Sequence, residues 1–208
     1  LDPDTFIRLS RRRRLPDVLA GIAAARQAGL HPIKINTVLM RGINDHEAFD
    51  LLRWAMAEGV QLRFIEQMPL DPQHGWQRAD MITAAEITQR LSQHVQLIED
   101  PEDALTRGSA PAELFRVAGT GYSVGIIAAV SKPFCGACDR VRLTADGQIR
   151  NCLFARTESD LRTPLRNGAS DAELAALWVA AVRGKQPGHG INDPSFLQPD
   201  RPMSAIGG

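Results

Sequence analysis

The sequence has no excess of charge of either sign, no long apolar run and very little cysteine. Its 24 basic and 24 acidic residues cancel, so no overall field favours nucleic acid. Arg11 to Arg14 form a local cluster of charge, which we expect at a solvated helix end or turn. No apolar run approaches the roughly 18 residues that cross a bilayer, and no basic-then-apolar leader opens the chain. We therefore expect a cytoplasmic protein without membrane contact.

Cysteine occurs only three times, at Cys135, Cys138 and Cys152, within one window of eighteen residues. An odd count in an ordinary globular composition argues against a disulfide framework and for a reducing compartment. Structural zinc takes four ligands, so the fold would have to supply the fourth, and the histidines nearest in sequence are His94 and His189. The five histidines have no metal-binding spacing of their own, and we assign them no role.

Three thiolates can also hold a cubane iron–sulfur cluster, one iron of which then stays open to another ligand. Such an opening would serve substrate binding or chemistry. The structural alternatives are a half-complete zinc knuckle or three unrelated buried cysteines. The spacing Cys-x2-Cys-x13-Cys by itself leaves these alternatives open.

The residues between the cysteines predict a hairpin. A short strand follows Cys138, an Asp146-Gly147 turn reverses the chain, and a return strand brings Cys152 back beside the first two cysteines. Arg140 and Arg142 are two positions apart on the outgoing strand, so both guanidinium groups project to one face and suit a phosphate chain. Two solvated surface arginines are the alternative.

Helical and strand-like patterns alternate over the first hundred residues. The predicted elements are a helix from Pro16 to Gly29, a strand over 33–40, a helix capped by Asn44 or Asp45 and closed by Gly59, and a strand over 62–67. This spacing predicts parallel βα units and an α/β fold. Downstream we predict helices with capping boxes at 83–86 and 170–173, strands over 95–98, 114–117 and 122–130, a domain boundary near residue 100 and an irregular tail after 184.

Four stretches of sequence resemble the GTP 3',8-cyclase family of radical S-adenosylmethionine enzymes, which acts in molybdenum cofactor biosynthesis. They are the cysteine segment 135–152 with Asp-Arg-Val-Arg-Leu-Thr-Ala-Asp-Gly inside it, Lys34-Ile-Asn-Thr-Val-Leu-Met-Arg-Gly-Ile-Asn-Asp, Arg63-Phe-Ile-Glu-Gln-Met-Pro, and Met203-Ser-Ala-Ile-Gly-Gly. The resemblance extends over essentially the whole chain. One departure is the lack of a Cys-x3-Cys-x2-Cys motif, from which we expect a fragment without the first half of the family's barrel.

The resemblance implies that residues 1–100 form the later part of an incomplete (βα)6-type, TIM-like radical S-adenosylmethionine barrel. Residues 101–208 would be an α+β region that binds a C-terminal 4Fe-4S cluster and GTP and ends in a Gly-Gly tail. Strands of a parallel barrel pair on both sides, so a half-barrel would expose an unpaired edge. We expect such a fragment to be poorly soluble or partly disordered alone.

The resemblance also implies roles for individual residues. The cluster ligands would be Cys135, Cys138 and Cys152, the GTP contacts Lys34, Arg63, Arg140, Val141, Arg142, Gly207 and Gly208, and the S-adenosylmethionine contact Met68. No catalytic residue beyond the cluster ligands is implied. By their pattern alone, Lys34 would be an edge lysine that reaches solvent, Arg63 would pair with Glu66, and Met68 would be core.

The activity implied is the radical cyclisation of GTP to (8S)-3',8-cyclo-7,8-dihydroguanosine 5'-triphosphate. It needs S-adenosylmethionine, a second 4Fe-4S cluster in the missing N-terminal part, and an electron donor, and its product passes to cyclic pyranopterin monophosphate synthase. A homodimer is a further expected partner, and we expect the fragment itself to be inactive. Two alternatives stay open: another radical S-adenosylmethionine enzyme with an auxiliary cluster, and a non-enzymatic module that binds zinc or a cluster.

Overall fold

The computed structural model describes residues 1–206, apart from the side chain of residue 104. The chain divides into two compact units: the first consists of Leu1–Gln67 and Ala79–Ser131, and the second of Met68–Arg78 and the residues from Lys132 onward. This division does not coincide with the boundary expected near residue 100, because the strands just after that point join the sheet of the first unit.

The first unit contains ten α-helices and β-strands among its described residues. They are α1 Pro3–Ser10, α2 Leu15–Gln27, β1 Lys34–Val38, α3 Ala48–Glu58, β2 Gln61–Ile65, α4 Ala84–Ser92, β3 Leu97–Glu99, α5 Pro101–Thr106, β4 Glu113–Val117 and β5 Ser123–Ile127. The strands form one sheet in the order β1-β2-β5-β4-β3. β1, β2 and β5 pair in parallel, β4 pairs antiparallel with β5, and β3 pairs antiparallel with β4. The predicted α/β class is confirmed.

Alternation along β2 builds the core of this unit. Leu62 and Phe64 are completely buried and pack with Leu52 of α3 and with Ile87 and Leu91 of α4, as a strand with one face on a helix layer requires. The predicted capping box of α4 is confirmed, because Thr83 and Glu86 exchange both hydrogen bonds. β1 lies at the edge of the sheet as described.

The cap predicted for α3 is wrong. A 3-10 turn at Asp45–Glu47 precedes α3, and the side chain of Asn44 instead accepts the N–H of Met40 and donates to the carbonyl of Val38. Asparagine offers the backbone this local alternative to a helix cap. The Arg11 to Arg14 cluster is exposed around the left-handed end of α1, as expected.

The second unit contains β6 Arg142–Leu143, β7 Gln148–Arg150, β8 Ser159–Asp160, α6 Arg162–Arg166 and α7 Asp171–Arg183. The three short strands form an antiparallel sheet in chain order. The capping box predicted for α7 at Ser170 and Glu173 is confirmed, and a 3-10 turn at Met203–Ala205 is the regular element of the described tail. Within residues 1–206, no helix has the length and apolar character needed to cross a membrane.

Candidate functional site

The three cysteines come together in the second unit. A 3-10 turn at Cys135–Ala137, closed by a hydrogen bond of 3.1 Å from the N–H of Cys138 to the carbonyl of Cys135, carries the first two thiols. The predicted hairpin of β6 and β7 then returns the chain to Cys152. All three thiols are free and partly buried, and they line one cavity of about 270 Å³.

The turn of this hairpin depends on Gly147. Its φ of 78° lies in the left-handed region, and its N–H donates to the carbonyl of Thr144 at 2.9 Å. A Cβ atom at this position would lie 2.6 Å from Cβ of Arg162, closer than carbon atoms approach. Glycine is therefore required here both by the backbone conformation and by the proximity of α6.

Each sulfur accepts an N–H from a neighbouring segment. Nη2 of Arg140 donates to the sulfur of Cys138 at 3.4 Å. The backbone N–H of Phe154 donates to the sulfur of Cys152, also at 3.4 Å. The backbone N–H of His189 donates to Cys135. Hydrogen bonds to sulfur are a feature of thiolate sites that hold iron–sulfur clusters, where they help to set the reduction potential.

The thiols of Cys135 and Cys138 differ in acidity. Burial, followed by the neighbouring charge of Cys152, raises the pKa of Cys135. Burial also opposes ionisation of Cys138, but the backbone N–H of Arg140 and the charges of Arg140 and Lys185 outweigh it, so the pKa of Cys138 is lowered. The positive surroundings of Cys138 thus favour a thiolate, which is the form that binds metal.

Two residues in the cavity wall, Lys185 and His189, were not predicted. Both lie more than thirty positions after Cys152, and neither has the sequence spacing of a metal ligand. His189 packs against Phe154 with ring centroids 4.6 Å apart. The position of Lys185 just after α7 was the available signal, because a basic residue at a helix C-terminus often binds nearby carbonyl oxygens.

His189 brings an imidazole to the cavity, as a Cys3His zinc site would require. Its Nδ1 accepts the N–H of Ile191 at 3.2 Å, which assigns the proton of a neutral ring to Nε2. In that arrangement neither nitrogen offers a lone pair to zinc. Among the residues described, no group of three or more His, Cys, Asp or Glu side chains is arranged to hold a metal ion. A cubane distributes its thiolates over different irons, so three thiols around a cavity suit it chemically.

The predicted arginine pair lies beside the thiols. Arg142 begins β6, whereas Arg140 precedes the strand and lies over the ring of Phe134, with its Cζ 4.9 Å from the ring centroid. Burial and then the charge of Arg140 lower the pKa of Arg142. Val141 lies between them and is partly buried.

The candidate residues of the first unit lie on adjacent strands. Lys34 is exposed at the start of β1, and Arg63 on β2 is opposite Asn36. Nε of Arg63 donates to Gln61 at 3.1 Å. Burial lowers the pKa of Arg63, although the charge of Asp103 acts in the opposite direction.

The pairing of Arg63 with Glu66 is wrong. Glu66 is 1% exposed and accepts the backbone N–H groups of Ala84, Val130 and Ser131, together with the Ser131 hydroxyl. Its position at the end of a parallel strand surrounds it with amide donors rather than with a cation. The other candidates lie elsewhere: Met68 belongs to the second unit, and Gly207 and Gly208 lie outside the described residues.

A network of ion pairs attaches the tail to the hairpin within the second unit. Arg201 forms a bidentate pair with Asp146 at 3.0 and 2.6 Å and approaches Glu158 at 3.2 Å. Glu158 also pairs with Arg150, which is 3% exposed and donates to the carbonyls of Leu153 and Ala155. The network therefore shapes the loop that follows Cys152.

Comparison with known proteins identifies the family of this chain. The family model described as Molybdenum Cofactor Synthesis C matches residues 60–191. Relatives named GTP 3',8-cyclase are 57% identical in Streptomyces coelicolor, 58% in Mycolicibacterium smegmatis and 55% in Corynebacterium glutamicum. Each alignment covers 100% of this chain but only 60%, 58% and 56% of the respective relative, so the chain spans less than two thirds of their length. The predicted resemblance is confirmed, and the chain belongs to the molybdenum cofactor synthesis C family.

Proposed function

We propose that this chain supplies the cluster-binding and GTP-binding part of a GTP 3',8-cyclase that acts in molybdenum cofactor biosynthesis. The observation that carries the proposal is the set of three free thiols around one cavity, each accepting an N–H, beside the arginine pair. The relatives that match the whole chain bear the same name.

In this proposal Cys135, Cys138 and Cys152 hold a 4Fe-4S cluster. When bound, the cluster supplies one iron without a protein ligand, which is available to the guanine of GTP. The guanidinium groups of Arg140 and Arg142 bind the triphosphate, since charge-assisted bonds from paired forks suit phosphate oxygens.

The remaining assignments rest on the family resemblance. Val141 contributes its backbone to the GTP site, together with Lys34, Arg63 and the terminal Gly207 and Gly208. Met68 contacts S-adenosylmethionine. The fold of the first unit would be the later part of a radical S-adenosylmethionine barrel, for which its three parallel strands are suitable.

The reaction proposed joins C3' of the ribose to C8 of guanine. It requires S-adenosylmethionine, an electron donor and a second 4Fe-4S cluster, whose Cys-x3-Cys-x2-Cys motif is not in these 208 residues, so we expect no turnover by this chain alone. A cytoplasmic enzyme that forms a homodimer and passes its product to cyclic pyranopterin monophosphate synthase completes the proposal.

A structural zinc module is the second candidate, because His189 adds an imidazole to the three thiols in the cavity wall. Zinc would require Nδ1 of His189 to release the N–H of Ile191, either to bind the metal itself or to take the proton from Nε2 so that Nε2 binds it. The effect of one substitution, His189→Ala, therefore distinguishes the zinc module from the cluster site. Zinc content should fall on His189→Ala if this ring is a ligand, whereas iron content should not. His94→Ala is the matched control, since that ring stacks on Phe49 in the first unit.

The proposal is tested by anaerobic reconstitution of the chain with iron and sulfide, followed by metal analysis. We expect about four irons per chain and no zinc, with loss of the iron in Cys152→Ala. One tightly bound zinc and no iron would overturn the proposal.

Binding of GTP to the reconstituted chain is then measured by calorimetry. Arg140→Ala should weaken it by about 10-fold to 100-fold, because a bond to a charged group contributes about 1.5 to 3 kcal/mol. Arg53→Ala, which removes an exposed arginine of α3 paired with Asp50, should leave GTP binding unchanged. Equal affinity in Arg140→Ala and the parent chain would refute the role of the arginine pair.

A further inference from the structure

Lys185 connects the two segments that carry the cysteines. Its Nζ donates to the carbonyl of Arg140 at 2.7 Å and to the carbonyl of Asn151. Arg140 is two positions after Cys138, and Asn151 immediately precedes Cys152. One ammonium group thus joins the outgoing and return segments at the points where they meet the cavity.

The end of α7 holds Lys185 in this place. The helix ends at Arg183, and the N–H of Lys185 donates to the carbonyl of Val182 at 3.1 Å. The side chain of Asn151 donates in turn to the carbonyl of Ala181 at 3.1 Å. A Cβ atom at Gly184 would lie 3.4 Å from Nδ2 of Asn151, so the end of the helix is in van der Waals range of the residue that follows the return strand. The position of the ammonium is therefore fixed by backbone contacts on both sides.

The charge of Lys185 remains at the cavity. Both acceptors that it binds are neutral carbonyl oxygens, which orient the ammonium without neutralising it. Lys185 lines the cavity together with the three thiols, and its charge acts on the Cys138 sulfur. A cluster held by three thiolates carries excess negative charge, which a fixed cation stabilises most in the reduced state.

We infer that Lys185 is a positioning residue of the cluster site, which holds the Cys138 and Cys152 segments at the spacing of the cluster and provides a positive charge beside it. The inference rests on the proposed function. It assigns a direct part in the site to the segment that follows α7, which carries none of the cysteines.

The test compares three variants of the reconstituted chain. Lys185→Met retains the aliphatic stem but removes the charge and both hydrogen bonds, and Lys185→Arg retains a charge and donors. Arg183→Met is the matched control, because it removes an exposed cation two positions before Lys185, in the last turn of α7, and Arg183 does not line the cavity. Release of iron to a ferrous chelator under anaerobic conditions is measured first. We expect Lys185→Met to release iron about 10-fold to 100-fold faster, the usual effect of removing a residue that orients metal ligands.

The reduction potential of the cluster is the second measurement, since a purely structural role would not change it. Lys185→Met should lower the potential, while Lys185→Arg and Arg183→Met should retain the parent value. Should Lys185→Met fail to fold, as judged by circular dichroism of the cluster-free chain, Lys185→Gln replaces it in both measurements. Parent rates of iron release or a parent potential in the uncharged variant would overturn the inference. Failure of the parent chain to take up iron would overturn the proposed function instead, so the two failures are distinguishable.

Discussion

Replacement of Glu66 by alanine should destabilise the first unit by about 3 to 5 kcal/mol. The carboxylate is 1% exposed and accepts three backbone N–H groups, those of Ala84, Val130 and Ser131, each at 2.7 Å. A buried N–H without an acceptor costs about 1 to 3 kcal/mol, so three would cost about 3 to 9 kcal/mol. Two of the three are only partly buried, and water should recover part of the loss. The expected value is therefore in the lower half of that range.

Glu66→Gln should cost less, about 1 to 3 kcal/mol. Its amide oxygen can still accept the N–H groups of Val130 and Ser131, whereas its NH2 group would face the N–H of Ala84 and leave that donor unsatisfied. The Ser131 hydroxyl can rotate to accept from the amide. The order of stability should therefore be parent, glutamine, alanine.

Hydrogen exchange followed by mass spectrometry measures this effect in the unit concerned. Peptides that contain the end of β5 and the start of α4 should exchange faster in both variants, by the factor that corresponds to the loss of free energy. The control is Glu58→Ala, since Glu58 makes a partly exposed pair with Arg26 and its loss should cost no more than about 1 kcal/mol. If Glu66→Ala exchanges no faster than this control, the amide contacts do not stabilise the fold as argued.

Three further predictions concern other parts of the chain. The N–H of Thr83 holds the pKa of Glu86 at about 2, below its ordinary 4.5. Above pH 4.5, the parent should therefore be more stable than Glu86→Gln by about 0.5 kcal/mol after solvent screening. Urea titrations should show this difference in stability vanishing as the pH falls through about 2. A Cβ atom at Gly125 would lie 2.9 Å from Cγ of Arg63, so Gly125→Ala should lower stability by about 1 to 3 kcal/mol. The variant should also bind GTP more weakly in calorimetry without a change in iron content. Unchanged affinity for GTP would argue against a GTP contact by Arg63. Arg150→Met should lower stability by about 3 kcal/mol, because it leaves the largely buried Glu158 with Arg201 as its remaining cation and removes the donor of two loop carbonyls. A loss below about 1 kcal/mol in thermal unfolding would contradict that.

Local features of the fold could be predicted from sequence because their determinants lie within a few residues of one another. The capping boxes of α4 and α7 require a hydroxyl and a carboxylate three positions apart, and both are present. The hairpin of β6 and β7 follows from Asp146-Gly147. Asn44 could not be assigned in the same way, because its side chain can cap a helix or bind its own turn, and only the turn geometry decides between them.

Contacts between residues distant in the sequence were harder to predict. The acidic stretch near residue 100 has the composition of a domain boundary. Strands on both sides of it nevertheless belong to the sheet of the first unit, in which β4 pairs with β5 and β3 pairs with β4. Pairing of strands depends on contacts between residues far apart in the sequence, and local composition carries no information on those contacts. The same limit explains why the partners of Glu66 were wrongly predicted. The sequence suggested an ion pair with Arg63, the nearest opposite charge, whereas the fold provides backbone N–H donors at the end of the strand.

The candidate site combines both situations. Its thiols come from one hairpin, so the spacing of Cys135, Cys138 and Cys152 was enough to predict that they meet. Part of its wall comes from the segment that follows α7. Metal-ligand spacing in the sequence does not point to that segment, because lysine is not among the usual ligands and His189 is far from the cysteines along the chain. The position of Lys185 just after a helix suggests that it binds carbonyl oxygens, but the sequence does not say which ones, since its acceptors are backbone atoms that every residue possesses. A residue such as Lys185, proposed to orient a cluster, is therefore found from the hydrogen bonds of the backbone beside the cysteines, whereas the proposed ligands were chosen from sequence.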